Sequence, residues 1–80
     1  MFIEARGKIY TFYDHAVARM QIRNISFEWI EAALLEPDDM IELTPTRQAY
    51  DKTMDDERTI RVVVDEESSQ IVTVYLVEAE

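Results

Sequence analysis

The alternation of apolar and polar residues changes rhythm at Pro37. Ahead of it, Phe12, Tyr13, Ala16, Val17 and Met20 recur at the spacing of one helix face, an arc of about 140° at roughly 100° per residue. Thr11 followed by Asp14 has the form of a capping box, which predicts a first helix over about residues 12 to 23. Asn24 tolerates the left-handed conformation that closes a helix. Ser26 can cap a second helix, with Glu28 and Glu31 placed to complement its positive end. Phe27, Ile30, Ala33 and Leu34 line the inner face of this second helix, with Trp29 at its margin. It stops before Pro37 because the residue preceding a proline disfavours helical geometry. The short connection makes the two helices a hairpin. Upstream, Phe2, Ile3, Ile9 and Tyr10 around Arg6-Gly7-Lys8 suit a short strand or hairpin that turns at the only glycine.

After Pro37 the period falls to two, in short runs separated by the acidic turns Asp55-Asp56-Glu57 and Asp65-Glu66-Glu67-Ser68-Ser69. Strands are predicted at about 40–44, 47–53, 58–64 and 70–77, with connections short enough for an antiparallel meander. Ile60, Val62 and Val64 oppose Thr59, Arg61 and Val63 in the third of these strands. In the fourth, Val72, Val74 and Leu76 oppose Ile71, Thr73, Tyr75 and Val77. The predicted fold is α+β: an N-terminal helix hairpin packed on one face of an antiparallel, roughly four-stranded meander sheet, with the other face partly open. Residues 1–80 read as a single domain without repeats or linkers.

Composition narrows the chemistry. A chain of 80 residues buries only about 60% of its unfolded surface, so its core must be thin. At 48% hydrophobic, with eight aromatic residues, it is nonetheless a folding sequence. The absence of cysteine removes disulfides, thiolate nucleophiles and thiolate metal sites and suits a reducing compartment. No apolar run is long enough for a membrane span or a signal peptide, which leads to the expectation of a cytoplasmic protein with no membrane partner. A single histidine and acids crowded into turns, without calcium-loop spacing, argue against a metal, and no cofactor motif is present. The net charge of −9 is unevenly placed: residues 1–25 carry +2 and residues 26–80 carry −11. Nucleic-acid binders present a basic footprint, and this chain has only a local basic stripe.

That stripe is His15, Arg19 and Arg23, which share one side of the first helix at the edge of its apolar arc. Histidine is a side chain suited to act as acid or base, which makes His15 a candidate, while Arg19 and Arg23 can grip a phosphate. The same residues equally suit a closed hairpin seam, the helix dipole and pairing with the chain's seventeen acids. Arg47, Tyr50, Arg61, Thr73 and Tyr75 can complete a polar site on the sheet, although an open sheet face requires such alternation in any case.

His15-Ala16 then Arg19-Met20, Arg23 before Ile25-Ser26, Pro37, Arg47 with Tyr50, and the closing run Ile71-Val72-Thr73-Val74-Tyr75 together resemble the small bacterial proteins grouped as domain of unknown function 4258. The likeness covers most of residues 11 to 76. That family is similar to the RelE/ParE and BrnT toxin folds, in which a helix hairpin precedes an antiparallel sheet. The resemblance implies a metal-independent ribonuclease-related component of a toxin–antitoxin type system. It assigns His15 and Tyr75 to catalysis as acid, base or proton donor, and Arg19, Arg23, Arg47 and Tyr50 to substrate binding, with Tyr50 a further candidate for proton donation or stacking. A cognate antitoxin is the partner it implies.

The charge departs from the toxin pattern, because a −11 segment over most of the sheet repels RNA. The alternative is therefore a non-catalytic acidic interaction module, antitoxin- or inhibitor-like, that binds a basic partner. A homodimer through Trp29, Leu35 or a sheet edge, with no site, is the plainest reading. The arrangement around His15 discriminates among them: convergence of the arginines and Tyr75 on an accessible His15 favours chemistry, and a packed seam favours structure.

Overall fold

The computed structural model describes residues 1–77. Its elements in chain order are β1 (Phe2–Ala5), β2 (Lys8–Phe12), α1 (Asp14–Ile22), α2 (Phe27–Leu35), β3 (Asp39–Glu42), β4 (Arg47–Thr53), β5 (Thr59–Asp65) and β6 (Gln70–Val77). One six-stranded mixed sheet in the order β1-β2-β6-β5-β4-β3 carries both helices on one face. The meander after Pro37 is present as expected, with β3 to β6 pairing consecutively and antiparallel.

Two features depart from the sequence expectation. The helix hairpin is not N-terminal, and the sheet has six strands rather than four. Arg6 and Gly7 both take positive φ, 53° and 77°, which makes a tight two-residue turn between Ala5 and Lys8. The second strand of this hairpin then runs on to Phe12 because β6, far along the chain, offers a parallel partner. Thr11 pairs with Gln70 and Phe12 with Ile71, while the Thr11 and Tyr13 amides donate to the Ser69 and Ile71 carbonyls at 3.1 and 2.9 Å. Thr11 is thereby a strand residue and caps nothing. The first helix begins at Asp14, with Tyr13 at its N-cap and no side-chain cap.

The helix connection follows the sequence closely. Asn24 has φ 56°, the Ile25 amide donates to the Met20 carbonyl at 2.9 Å, and the Asn24 amide donates to Gln21 at 3.3 Å. This is a Schellman ending, and its hydrophobic contact sets the buried Ile25 near Met20 on the core. Ser26 Oγ accepts from the Trp29 amide at 3.2 Å and opens α2.

The core lies between the helices and the sheet. Ala16, Ile30, Ala33 and Leu34 meet Ile3, Tyr10, Tyr50, Ile60, Val62, Val64, Ile71 and Val74. Strict alternation along β6 would place Ile71 opposite Val74, yet both are buried in this one cluster. A register shift at Val63/Val64 pairs Val62 with Val74 and Val64 with Ile71, so the extra residue of a β-bulge returns Ile71 to the helix side. On the other face, Asp51, Arg61 and Tyr75 stand in one cross-strand row and Ala49, Val63 and Thr73 in the next. Among the described residues, no helix is long and apolar enough to cross a membrane.

Candidate functional site

The residues that sequence reasoning grouped are distributed over three places. His15 is exposed on α1, and Arg19, one turn on, approaches it only through a long 3.5 Å contact from Nε to Nε2. Arg23 is engaged elsewhere: its Nη1 donates to the Val74 carbonyl at 3.0 Å, on the stretch of β6 beyond the last residue that pairs with β2. It ties the end of α1 to the sheet.

Arg47 and Tyr75 lie on the sheet face opposite the helices, so the sheet stands between them and His15. Each arginine on that face has its own carboxylate. Arg61 makes a two-pronged contact with Asp51, from Nε at 2.7 Å and Nη2 at 2.8 Å, and Arg47 Nε lies 3.7 Å from Asp65. Asp51 is 8% exposed although its face carries no helix, because Arg61 and the neighbouring side chains cover it. The two hydrogen bonds to Asp51 hold the Arg61 guanidinium firmly charged, and the guanidinium carbon sits 6.0 Å from the Tyr75 ring centre. Tyr50 does not belong to this face. It is offset by an odd number of residues from Arg47 along β4 and therefore points to the helix side, where it is 3% exposed.

Tyr50 belongs instead to a polar cluster whose hub is Glu66, in the β5–β6 turn. The Tyr10 and Tyr50 hydroxyls donate to its Oε1 and Oε2, each at 2.6 Å, and Lys8 Nζ lies 3.4 Å from Oε1. Arg6 completes the cluster from the β1–β2 turn: its guanidinium carbon lies 4.8 Å from the Tyr50 ring centre, and Nη1 donates to the Leu34 carbonyl at the end of α2. A cation over an aromatic face and on the last carbonyls of a helix is favourable on both counts.

Electrostatics makes the cluster self-contained. Burial raises the pKa of both tyrosines, and the adjoining Glu66 charge raises it further, so both keep their protons. Burial alone pushes Glu66 upward, but the bonds from Tyr10 and Tyr50 and the charge of Lys8 outweigh it and hold the carboxyl below its ordinary value. A carboxylate whose two oxygens are both engaged by donors is an anchor rather than a free base. The sequence reading placed Glu66 in a solvated acidic turn. The signal it missed was the pair of tyrosines at core-facing positions, since a buried hydroxyl needs an acceptor.

Two other places remain. A shallow groove of about 310 Å³ runs along the outer flank of α2, lined by Glu28, Glu31, Ala32, Leu35, Glu36 and Lys52. Near the start of α2, Arg58 sits 4.7 Å over the Trp29 ring and pairs with Asp56 at 2.7 Å. Among the described residues, no three His, Asp or Glu side chains gather where they could share a metal ion, and every buried side-chain nitrogen or oxygen has a partner.

Comparison with known proteins gives one match. The model of a family described as a domain of unknown function (DUF4258) matches residues 12–76. No curated protein and no solved structure matches. The matched segment contains Tyr50 and Glu66 and begins after Arg6, Lys8 and Tyr10, so the Glu66 cluster joins it to a hairpin that lies mostly outside the match.

Proposed function

From the premise that this chain belongs to the DUF4258 family, we propose that it is a non-catalytic interaction domain whose acidic surface receives a basic protein partner. The observation that carries this reading is the engagement of its basic residues. Lys8, Arg47, Lys52, Arg58 and Arg61 each lie within 4.0 Å of a carboxylate, and Arg6 and Arg23 are held by backbone carbonyls. Among the described residues, and against the chain's seventeen acids, this leaves Arg6, Arg19 and Arg23 as the cations without a carboxylate, two of them committed to backbone carbonyls. Phosphate binding draws on cations free to converge on one anion, and the surface potential of a −9 chain attracts cations instead.

The toxin-like ribonuclease reading, with its similarity to RelE/ParE and BrnT proteins and an antitoxin as partner, has less support in this geometry. It requires His15, Tyr75 and the arginines on one phosphodiester, whereas the sheet lies between His15 and Tyr75. Both readings meet one experiment. Fluorescence anisotropy with a labelled lysine-rich peptide and a labelled single-stranded RNA should show peptide binding that weakens steeply with salt, and RNA that neither binds nor is cut. RNA cleavage that His15→Ala abolishes, with the fold intact, overturns the proposal.

A further inference from the structure

The helical layer stops short of the sheet's edge. α1 lies over β6, and α2 lies over β5 and β4. Tyr50 and Met40 are cross-strand partners on the same face, yet Tyr50 is 3% exposed and Met40 is 55% exposed. The cover therefore ends between β4 and β3. On the helix side of this boundary, Leu35 is 50% exposed at the end of α2, and the groove along α2 has Ala32 and Leu35 among its lining.

The charged lining of that groove is three glutamates against one lysine. Lys52 is tied at one wall, where Nζ donates to the Glu36 carbonyl at 2.8 Å and lies 3.8 Å from Asp38. Among the described residues, the carboxylates of Glu28, Glu31 and Glu36 make no ion pair. Glu28, Glu31, Ala32 and Leu35 fall at helical spacings of three and four, so acids and apolar groups form one stripe.

We infer that this groove is the docking surface for an amphipathic basic helix of a partner protein, which extends the helical layer toward β3. This deepens the acidic-module reading and rests on it. The partner's apolar side covers Ala32, Leu35 and Met40, and its lysines or arginines reach Glu28, Glu31 and Glu36. Helix-in-groove recognition uses this combination of an apolar track with flanking charge. Charge selects the occupant: a second copy of a −9 chain, a nucleic acid or an anionic lipid surface each brings negative charge to three unpaired carboxylates.

The test is an amide NMR titration of the isotope-labelled full chain with a synthetic peptide of lysine and leucine at helical spacing, beside a glutamate–leucine counterpart. The Lys–Leu peptide should shift residues 28–36, Met40 and Lys52, and the counterpart should shift none of them. The double variant Glu28→Gln/Glu31→Gln, whose own spectrum verifies the fold, should bind about tenfold more weakly through the loss of two charge contacts. Binding elsewhere on the chain, or equal affinity in the variant, overturns the groove while leaving the acidic-module reading intact. No binding of the Lys–Leu peptide at all overturns both.

Discussion

The Glu66 cluster and the His15 stripe each set a titratable group beside cations, and the fold treats them in opposite ways. Glu66 begins in an acidic turn and ends beneath two tyrosines and a lysine, linking the β1–β2 hairpin to β4. His15 begins in a stripe with two arginines and ends exposed, with one of them turned to the sheet and the other at a long contact. Charge-assisted bonds strengthen as water is excluded, so the half-buried cluster carries fold stability and the exposed stripe carries little. Residues that look reactive in a list are separated by where the chain buries them.

The largest effect should come from Glu66→Ala, which leaves the Tyr10 and Tyr50 hydroxyls without their acceptor. Urea unfolding is expected to lose about 2–3 kcal/mol, and a loss under about 0.5 kcal/mol would break the contrast. The same cluster shapes the pH profile. A carboxyl held below its ordinary value stabilises fully above about pH 4.3, and that contribution fades as pH falls through the folded value. Tyrosines raised above their ordinary value act in the other direction. Their contribution is complete below about pH 10 and is lost as pH rises through the folded values. Glu66→Gln should flatten the acid limb, and an unchanged limb would show that other carboxylates set it.

Asp51→Asn should rank next, at about 1–2 kcal/mol by the same unfolding measurement, since Arg61 would keep a charge that is only partly exposed and lose its two-pronged partner. The smallest effect belongs to His15→Ala, expected within about 0.5 kcal/mol of the parent. A larger loss there would mean that the stripe is part of the packed seam after all.

Much of the fold is legible along the chain because its signals are local. The helix period, Ser26 as a cap, Asn24 as a left-handed stop, the Gly7 turn and the alternation of β4 and β5 each depend on a few neighbouring residues. What escaped depends on distant partners. The parallel pairing of Thr11 and Phe12 with Gln70 and Ile71 has no local mark, and it displaced the capping box that the spacing suggested. The bulge in β6 reversed the face of Ile71 without any glycine or proline to announce it. Glu66 looked like one more acid in a turn until the fold placed two tyrosines against it. The arginines were recognisable as candidates, but their engagement by Asp51, Asp65 and the Val74 carbonyl is a tertiary fact.

The most direct measurement places two variants in one calorimetric titration with the Lys–Leu peptide. Neutralising the α2 flank, Glu28→Gln/Glu31→Gln, should weaken binding about tenfold, whereas His15→Ala/Arg19→Ala should leave it within about twofold of the parent chain. Unchanged affinity in the first variant together with lost affinity in the second would contradict the account and return function to the His15 stripe.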